Sequence, residues 1–69
     1  MDLRTLRESL GKTQGEVARI AEMTQPQLSR VERRRDHLLS TVRRYAAALG
    51  GEVQVIVRVD GRQVILRDI

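Results

Sequence analysis

The spacing of apolar residues changes once along the 69-residue chain. From Leu3 to Leu49 they recur every three or four positions, which is the spacing of one helix face; from Val53 to Leu66 they largely alternate, as along a half-buried strand. The pattern predicts a mainly α fold of four helices with a C-terminal β-hairpin. A chain of this length makes one small domain whose core is marginal for stability.

Local signals set the bounds of the first two helices. The first is predicted from about Asp2 to Leu10, and Gly11 ends it. The second begins at Thr13, since Thr13-Gln14-Gly15-Glu16 is a capping box in which hydroxyl and carboxylate each bind a free backbone amide. The predicted buried faces are Leu3, Leu6 and Leu10 in the first helix, and Val17, Ala18, Ile20 and Ala21 in the second.

The third helix carries a proline near its start, in the sequence TQPQ of residues 24–27. These residues form a second capping box, which places Pro26 in the first turn, where its missing N–H removes no helical hydrogen bond. The helix is predicted from Gln25 to about Arg34, and Leu28 and Val31 hold it to the core. A helix with so narrow an apolar stripe lies at the surface.

The fourth helix is predicted to begin at a cap formed by Ser40 or Thr41 and to end at Gly50. Its predicted buried face consists of Val42, Tyr45, Ala46 and Leu49. The neighbouring Arg43 and Arg44 lie off that face, so we expect both in solvent.

Two strands joined at Asp60-Gly61 are predicted next, because this pair accepts the positive φ angles of a type I′ turn. The loop would set Val59 opposite Arg62, Val57 opposite Val64 and Val55 opposite Leu66. Both faces carry apolar residues, and an isolated hairpin is barely stable in water. We therefore predict a dimer that joins two hairpins into one sheet through Val53, Val55, Ile56, Val57 and Ile65. The alternative is a monomer whose hairpin lies on its own helices.

Charge is concentrated in the helical part of the chain. The net charge of +4 belongs to residues 1–50, which hold ten Lys or Arg against six Asp or Glu, whereas residues 51–69 are neutral. Twelve of the thirteen cations are arginine, which suits bidentate contacts with phosphate and guanine. The alternative explanation is a basic surface that serves solubility alone.

Composition excludes several classes of function. There is no cysteine, and the single histidine, His37, is expected in an exposed linker, so we predict no catalytic residue, no metal site and no cofactor. One aromatic residue offers little stacking for unpaired RNA bases. The chain opens without an apolar run, so we expect neither a signal peptide nor a membrane span, and a cytoplasmic protein.

The second and third helices are joined by the tight turn Ala21-Glu22-Met23, which predicts a helix-turn-helix. In that geometry the later helix enters the major groove of DNA and the earlier one crosses the backbone. Glutamine can read adenine and arginine can read guanine, so base readout is predicted for Gln25, Gln27, Arg30 and Arg33. Phosphate contacts are predicted for Lys12, Thr13, Gln14, Thr24, Ser29, Arg34 and Arg35, with Arg43 or Arg44 as further candidates.

The segment LGKTQGEVARIAEMTQPQLSRVERRRD, residues 10–36, resembles the helix-turn-helix of the Cro/CI or XRE family of bacterial and phage regulators. The match is carried by Leu10, Thr13, Gln14, Val17, Ala18, Thr24, Gln25, Leu28, Ser29, Arg30, Val31 and Glu32. The resemblance implies a lambda-repressor-like fold, with Gln14 on a phosphate and with Gln25 and Gln27 over base edges. Residues 37–66 also look like the end of HigA- or HipB-like antitoxins, in which a β-element after Gly-Gly serves dimerisation.

Two residues depart from the family pattern. Glu22 stands where the turn usually has glycine, and a positive φ there costs a non-glycine residue about 1 kcal/mol. Another turn conformation is therefore an open alternative. Pro26 replaces a small polar residue that touches DNA in many relatives, which shifts readout toward Gln25, Gln27 and Arg30.

These observations predict a dimeric repressor that binds an inverted-repeat operator in double-stranded DNA, with residues 1–50 as the DNA-binding part and residues 51–69 as the dimerisation element. The resemblance implies an autoregulating antitoxin with a cognate toxin as a possible partner. The rival hypothesis is a protein-interaction module that neutralises a toxin with little DNA binding. Such a module would need more apolar anchors on the third helix than Leu28 and Val31.

Overall fold

Side chains that bind free backbone amides begin three of the four helices. The computed structural model describes residues 1–69 and contains α1 (Leu3–Ser9), α2 (Gln14–Ala21), α3 (Gln25–Arg33), α4 (Leu39–Ala48), β1 (Val55–Val59) and β2 (Arg62–Leu66). The Asp2 carboxylate accepts a hydrogen bond from the Thr5 amide at 2.8 Å and starts α1. Both predicted capping boxes, at Thr13 and at Thr24, are confirmed. The predicted mainly α fold with a C-terminal hairpin is confirmed.

The predicted cap of α4 is wrong. The helix begins at Leu39, its N-cap is Leu38, and no side chain caps it. The Leu38 carbonyl already accepts hydrogen bonds from the amides of Thr41 and Val42, so Ser40 and Thr41 lie inside the first turn rather than before it.

The core lies where α2 packs against α3 and α4. Its buried apolar residues are Val17, Ala18, Ala21, Leu28, Tyr45 and Ala48. Two predicted core residues, Leu10 and Ile20, are instead 50% and 57% exposed. Leu10 follows the last residue of α1, and Ile20 lies about 110° around α2 from the centre of the Val17, Ala18 and Ala21 face. On α4, Tyr45 is buried as predicted, and Ala48 is also buried although it was not predicted to be.

The hairpin has the predicted register. Val59 pairs with Arg62, Val57 with Val64 and Val55 with Leu66. Asp60 and Gly61 have φ angles of 50° and 73°, so the turn has the two positive values that the sequence predicted.

The hairpin projects from the helical part of the protein. The whole chain measures 42 × 23 × 22 Å along its principal axes. The strands pack closely on each other and make no extensive contact with a helix. Arg43 of α4 donates to the carbonyl of Ile69, after β2, at 2.8 Å. The exposed apolar residues of this region are Ile56, Val57, Val59, Val64, Ile65, Leu66 and Ile69. These exposures contradict the alternative in which the hairpin lies on its own helices. No helix has the length and apolar character needed to cross a membrane.

Candidate nucleic-acid interface

The turn between α2 and α3 has the conformation that usually requires glycine. Glu22 lies in the left-handed region at φ 58° and ψ 43°. The Met23 amide binds the Ala18 carbonyl at 2.9 Å and the Glu22 amide binds the Arg19 carbonyl at 3.3 Å, which together form a Schellman motif. The alternative of a different turn at Glu22 is therefore wrong, and the turn carries about 1 kcal/mol of backbone strain.

A side chain of α4 binds this turn. Arg44 donates from Nε to the Ala21 carbonyl at 2.7 Å and from Nη2 to the Glu22 carbonyl at 2.9 Å. Arginine near a helix C-terminus pairs carbonyls that the helix leaves free and interacts favourably with its dipole. Arg44 is exposed, as predicted, but its guanidinium is engaged by the turn, which the sequence did not predict.

The amino ends of α2 and α3 lie side by side. A Cβ atom added to Gly15, in the first turn of α2, would be 2.8 Å from Nε2 of Gln25, the first residue of α3. Glycine at position 15 therefore leaves the space that the Gln25 side chain occupies. Amides at the start of a helix that have no partner within it favour an anion such as a DNA phosphate, and the two helix starts lie close together here.

The outer face of α3 is polar and cationic. Pro26, Arg30 and Arg33 lie opposite the buried Leu28, and all three are exposed. Exposed Gln25 lies on the flank nearest α2.

The other flank of α3 borders a groove. Exposed Gln27 uses its side-chain oxygen to accept a hydrogen bond from the Thr24 amide at 2.8 Å. The groove has a volume of about 330 Å³ and separates this flank from the start of α4. Its polar lining residues are Glu22, Gln27, Arg30, Arg34, Thr41 and Arg44.

A buried polar network fixes the last turn of α3 to the other helices. The Glu32 carboxylate accepts hydrogen bonds from Arg7 at 2.7 and 3.2 Å, from Gln14 at 3.0 Å and from the Tyr45 hydroxyl at 2.6 Å. Arg7 also donates to the Lys12 carbonyl at 2.8 Å. Every buried side-chain donor and acceptor has a partner, so the network meets the condition under which charge is tolerated in a core.

The network shifts the acid–base behaviour of its members. Burial by itself raises the pKa of Glu32, but the hydrogen bonds from Arg7, Tyr45 and Gln14 outweigh it and lower that pKa below its ordinary value. The hydrogen bond with Glu32 raises the pKa of Arg7. Burial, followed by the hydrogen bond to Glu32, raises the pKa of Tyr45 far above its ordinary value. All three groups keep their usual charge at neutral pH.

The residues predicted to contact phosphate fall into two sets. Lys12, Arg34 and Arg35 are exposed and available to a ligand. The others are already engaged or partly covered: the hydroxyls of Thr13 and Thr24 cap their helices, the Gln14 amide donates to Glu32, and Ser29 is half-buried.

The sequence did not predict the hydrogen bonds of Arg7, Glu32, Arg44 and Tyr45, although Tyr45 was correctly predicted to be buried. Two of these four residues carried a signal. Arg7 follows Leu3 by four positions and Glu32 follows Leu28 by four, so each lies on the buried face of its helix, where a charge needs a partner. Nothing in the sequence indicated which groups Arg44 and Tyr45 would bind. His37, predicted in an exposed linker, is half-buried, and its Nε2 lies 2.6 Å from the Val31 carbonyl.

Known proteins share both the sequence pattern and the geometry. A family model described as "Helix-turn-helix domain" matches residues 2–56. A structure of a HigA antitoxin, solved in work on induced DNA bending by its unique dimerization, is similar with a TM-score of 0.89 and 28% identity; the match covers 97% of this chain and 92% of that one. A structure of DNA-bound antitoxin HigA3 has a TM-score of 0.91 and 28% identity, over 100% of this chain and 92% of the other. No curated protein matches the chain.

Proposed function

Because this chain belongs to the helix-turn-helix domain family, we propose that it is a homodimeric, sequence-specific DNA-binding repressor, the antitoxin of a toxin–antitoxin pair that regulates its own operator. The observation that carries the proposal is the exposed polar face of α3, which projects beside the amino end of α2. This arrangement fits a helix in the major groove with the preceding helix across the backbone. Repression would act by occlusion of the operator, without chemistry.

Base readout is assigned to the residues that α3 presents outward. Arg30 and Arg33 can each form a bidentate contact with guanine, and Gln25 can pair with adenine. Gln27 offers mainly its amide N–H groups, since its oxygen already caps α3. Pro26 offers a ring surface to a thymine methyl group.

Phosphate contacts would fix the register without reading sequence. Lys12, Arg34 and Arg35 supply exposed charge, and the amino ends of α2 and α3 supply free amides. Thr13, Gln14, Thr24 and Ser29 remain predictions as direct contacts, and Gln14 would need to share its amide between Glu32 and a phosphate.

Dimerisation is assigned to residues 51–69. Both faces of the hairpin and both of its edges are uncovered in the single chain, and Ile56 stands directly opposite Ile65. Pairing of two hairpins would bury these residues together with Val53, Val55 and Val57. Residues 1–50 would then be presented twice, about one turn of DNA apart, on an inverted repeat. The antitoxin relatives also make a toxin a candidate partner.

An anisotropy titration against the DNA upstream of its own gene, compared with a random duplex at several salt concentrations, tests the proposal. The expected result is a steep salt slope with specific binding at least 10³-fold tighter than random binding. Gln25→Ala or Arg30→Ala should cost about 1–3 kcal/mol on the operator and little on random duplex.

Arg35→Ala is the matched control for charge, since it should weaken both duplexes equally and reduce the salt slope by about one. Weak binding of the wild-type protein that is equal on both duplexes would overturn the repressor and favour the protein-interaction module.

A further inference from the structure

We propose that Arg44 is a positioning residue that holds the α2–α3 turn in its left-handed conformation and thereby sets the angle at which α3 meets DNA. The inference rests on the proposed function for its DNA consequence. Its structural basis is the pair of hydrogen bonds from one guanidinium to the adjacent carbonyls of Ala21 and Glu22, at 2.7 and 2.9 Å.

The hydrogen bonds of the Schellman motif do not satisfy these two carbonyls. That motif pairs the carbonyls of Ala18 and Arg19 with the amides of Met23 and Glu22. The carbonyls of Ala21 and Glu22 belong to residues inside the motif but accept none of its hydrogen bonds, and Arg44 donates to both. A planar guanidinium can bind two neighbouring acceptors in a fixed geometry, whereas an ammonium group cannot.

The base of the Arg44 side chain does not move freely, because α4 is anchored next to it. Tyr45 is fully buried and donates to Glu32, and Ala48, one turn further along α4, packs in the core. Arg44 therefore connects the turn to a fixed part of the protein. Strained backbone persists where the surrounding structure over-determines it, and this connection supplies that constraint at Glu22.

A small change at the turn is magnified along α3. The helix begins three residues after Glu22 and has nine residues, which makes it about 13 Å long. A rotation of about 20° at the turn would move the far end of α3 by roughly 4–5 Å, which is more than a base contact tolerates. Random duplex binding, which depends on charge alone, would be far less affected.

The test combines Arg44→Lys, which keeps the charge but loses the two-carbonyl contact, with Glu22→Gly, which accepts the left-handed conformation without strain and keeps both carbonyls. Arg44→Lys should lower operator affinity about tenfold while random-duplex affinity and the salt slope stay unchanged. Adding Glu22→Gly should restore most of that loss. A Glu22→Gln control removes the same charge but keeps the strain, so it should restore nothing.

Other outcomes would overturn the inference. If Arg44 contacted a phosphate instead, Arg44→Lys would be nearly neutral, whereas Arg44→Ala would lower the salt slope and weaken both duplexes. Rescue by Glu22→Gln as well as by Glu22→Gly would assign the effect to charge.

Thermal unfolding without DNA keeps this inference separate from the proposed function. Arg44→Lys should lower Tm by about 5 °C, and by clearly less in the Glu22→Gly background. Equal losses of Tm in both backgrounds would refute the proposal that Arg44 holds the turn, whatever the protein binds. The wild-type protein could fail to distinguish operator from random duplex while Arg44→Lys still lowers Tm less in the Glu22→Gly background. That result would overturn the proposed function and support the role of Arg44 in holding the turn.

Discussion

Arg7 and Glu32 form an ion pair at 2.7 Å that joins α1 to the last turn of α3, and the side chains of both residues are less than a tenth exposed. The other ion pair in the protein, between Arg4 and Glu8, lies in solvent. A buried pair contributes little when compared with well-packed apolar residues, but removing one partner leaves an uncompensated charge in the core. The α1–α3 connection therefore depends on both residues being present.

Glu32→Gln should destabilise the protein by about 3–5 kcal/mol, because the Arg7 guanidinium would stay buried without its counter-charge. Urea unfolding at a fixed protein concentration measures this loss. The double variant Arg7→Met with Glu32→Leu is the control: it removes both charges and should cost clearly less than Glu32→Gln alone. A cost below about 1 kcal/mol for Glu32→Gln would show that the pair does not hold the helices together.

Stability should fall as the pH drops through the acid range. The pKa of Glu32 is lowered in the folded protein, so its contribution is complete above the unfolded pKa of about 4.3 and is lost as pH falls through the folded pKa. Hydrogen bonds with the Thr13 amide and hydroxyl lower the pKa of Glu16, which acts in the same direction. We expect the stability difference between wild type and Glu32→Gln to shrink as the pH falls below about 5 into the acid range. A difference that stays constant over this range would contradict the assignment, and Glu16→Gln measured in parallel separates the two carboxylates.

Gly15→Ala should separate fold stability from DNA recognition. Alanine stabilises a helix relative to glycine by up to about 1 kcal/mol, so the free energy of unfolding should rise slightly. The added methyl would lie 2.8 Å from Nε2 of Gln25, and the end of that flexible side chain must move aside. We therefore expect operator affinity to fall several-fold without loss of stability.

The control for Gly15→Ala is the same change in a Gln25→Ala background. There the methyl meets no glutamine, so the further loss of operator affinity should disappear. An equal loss in both backgrounds would show that Gly15 acts through the backbone or a phosphate rather than through Gln25.

The predictable parts of this structure are those set by local chemistry. Both capping boxes, the Asp60-Gly61 turn and the strand register follow from neighbouring residues, and all agree with the structure. The missed features depend on contacts between distant elements. Arg44 reaches a turn 22 residues away in sequence, and Arg7 reaches Glu32 across 25 residues. The spacing of apolar residues along the sequence does not reveal such contacts, because they form only when the helices pack together.

The same distinction explains the errors in helix assignment. Ile20 fits an apolar pattern, yet the packing direction of α2 places it outside the core. Ser40 and Thr41 are good caps by residue type, yet α4 begins earlier without one. Glu22 has a poor side chain for a left-handed turn, but the Schellman hydrogen bonds and Arg44 hold it there. Tertiary packing decided the position of Ile20, and at Glu22 the hydrogen bonds of the turn together with Arg44 outweigh a local cost of about 1 kcal/mol.

Charge placed on the hairpin should break the dimer. Ile56 and Ile65 are directly paired across the strands and remain 47% and 43% exposed in the single chain. A stable interface needs about 800 Å² from each partner, and seven of the eleven exposed large apolar residues of the protein lie in residues 51–69. We expect Ile56→Lys to sediment as a monomer, or to unfold, at concentrations where the wild type is a dimer.

The matched control is Gln63→Lys, which adds the same charge on the same face of the hairpin, at an exposed polar position beside Ile65. It should leave the dimer intact, since no apolar side chain is lost. Operator affinity of Ile56→Lys should fall much more than its affinity for random duplex, because one chain can engage only one half-site. If Ile56→Lys sedimented as a folded dimer with normal operator binding, the subunits would have to associate through the helices, and the exposed hairpin would need another partner.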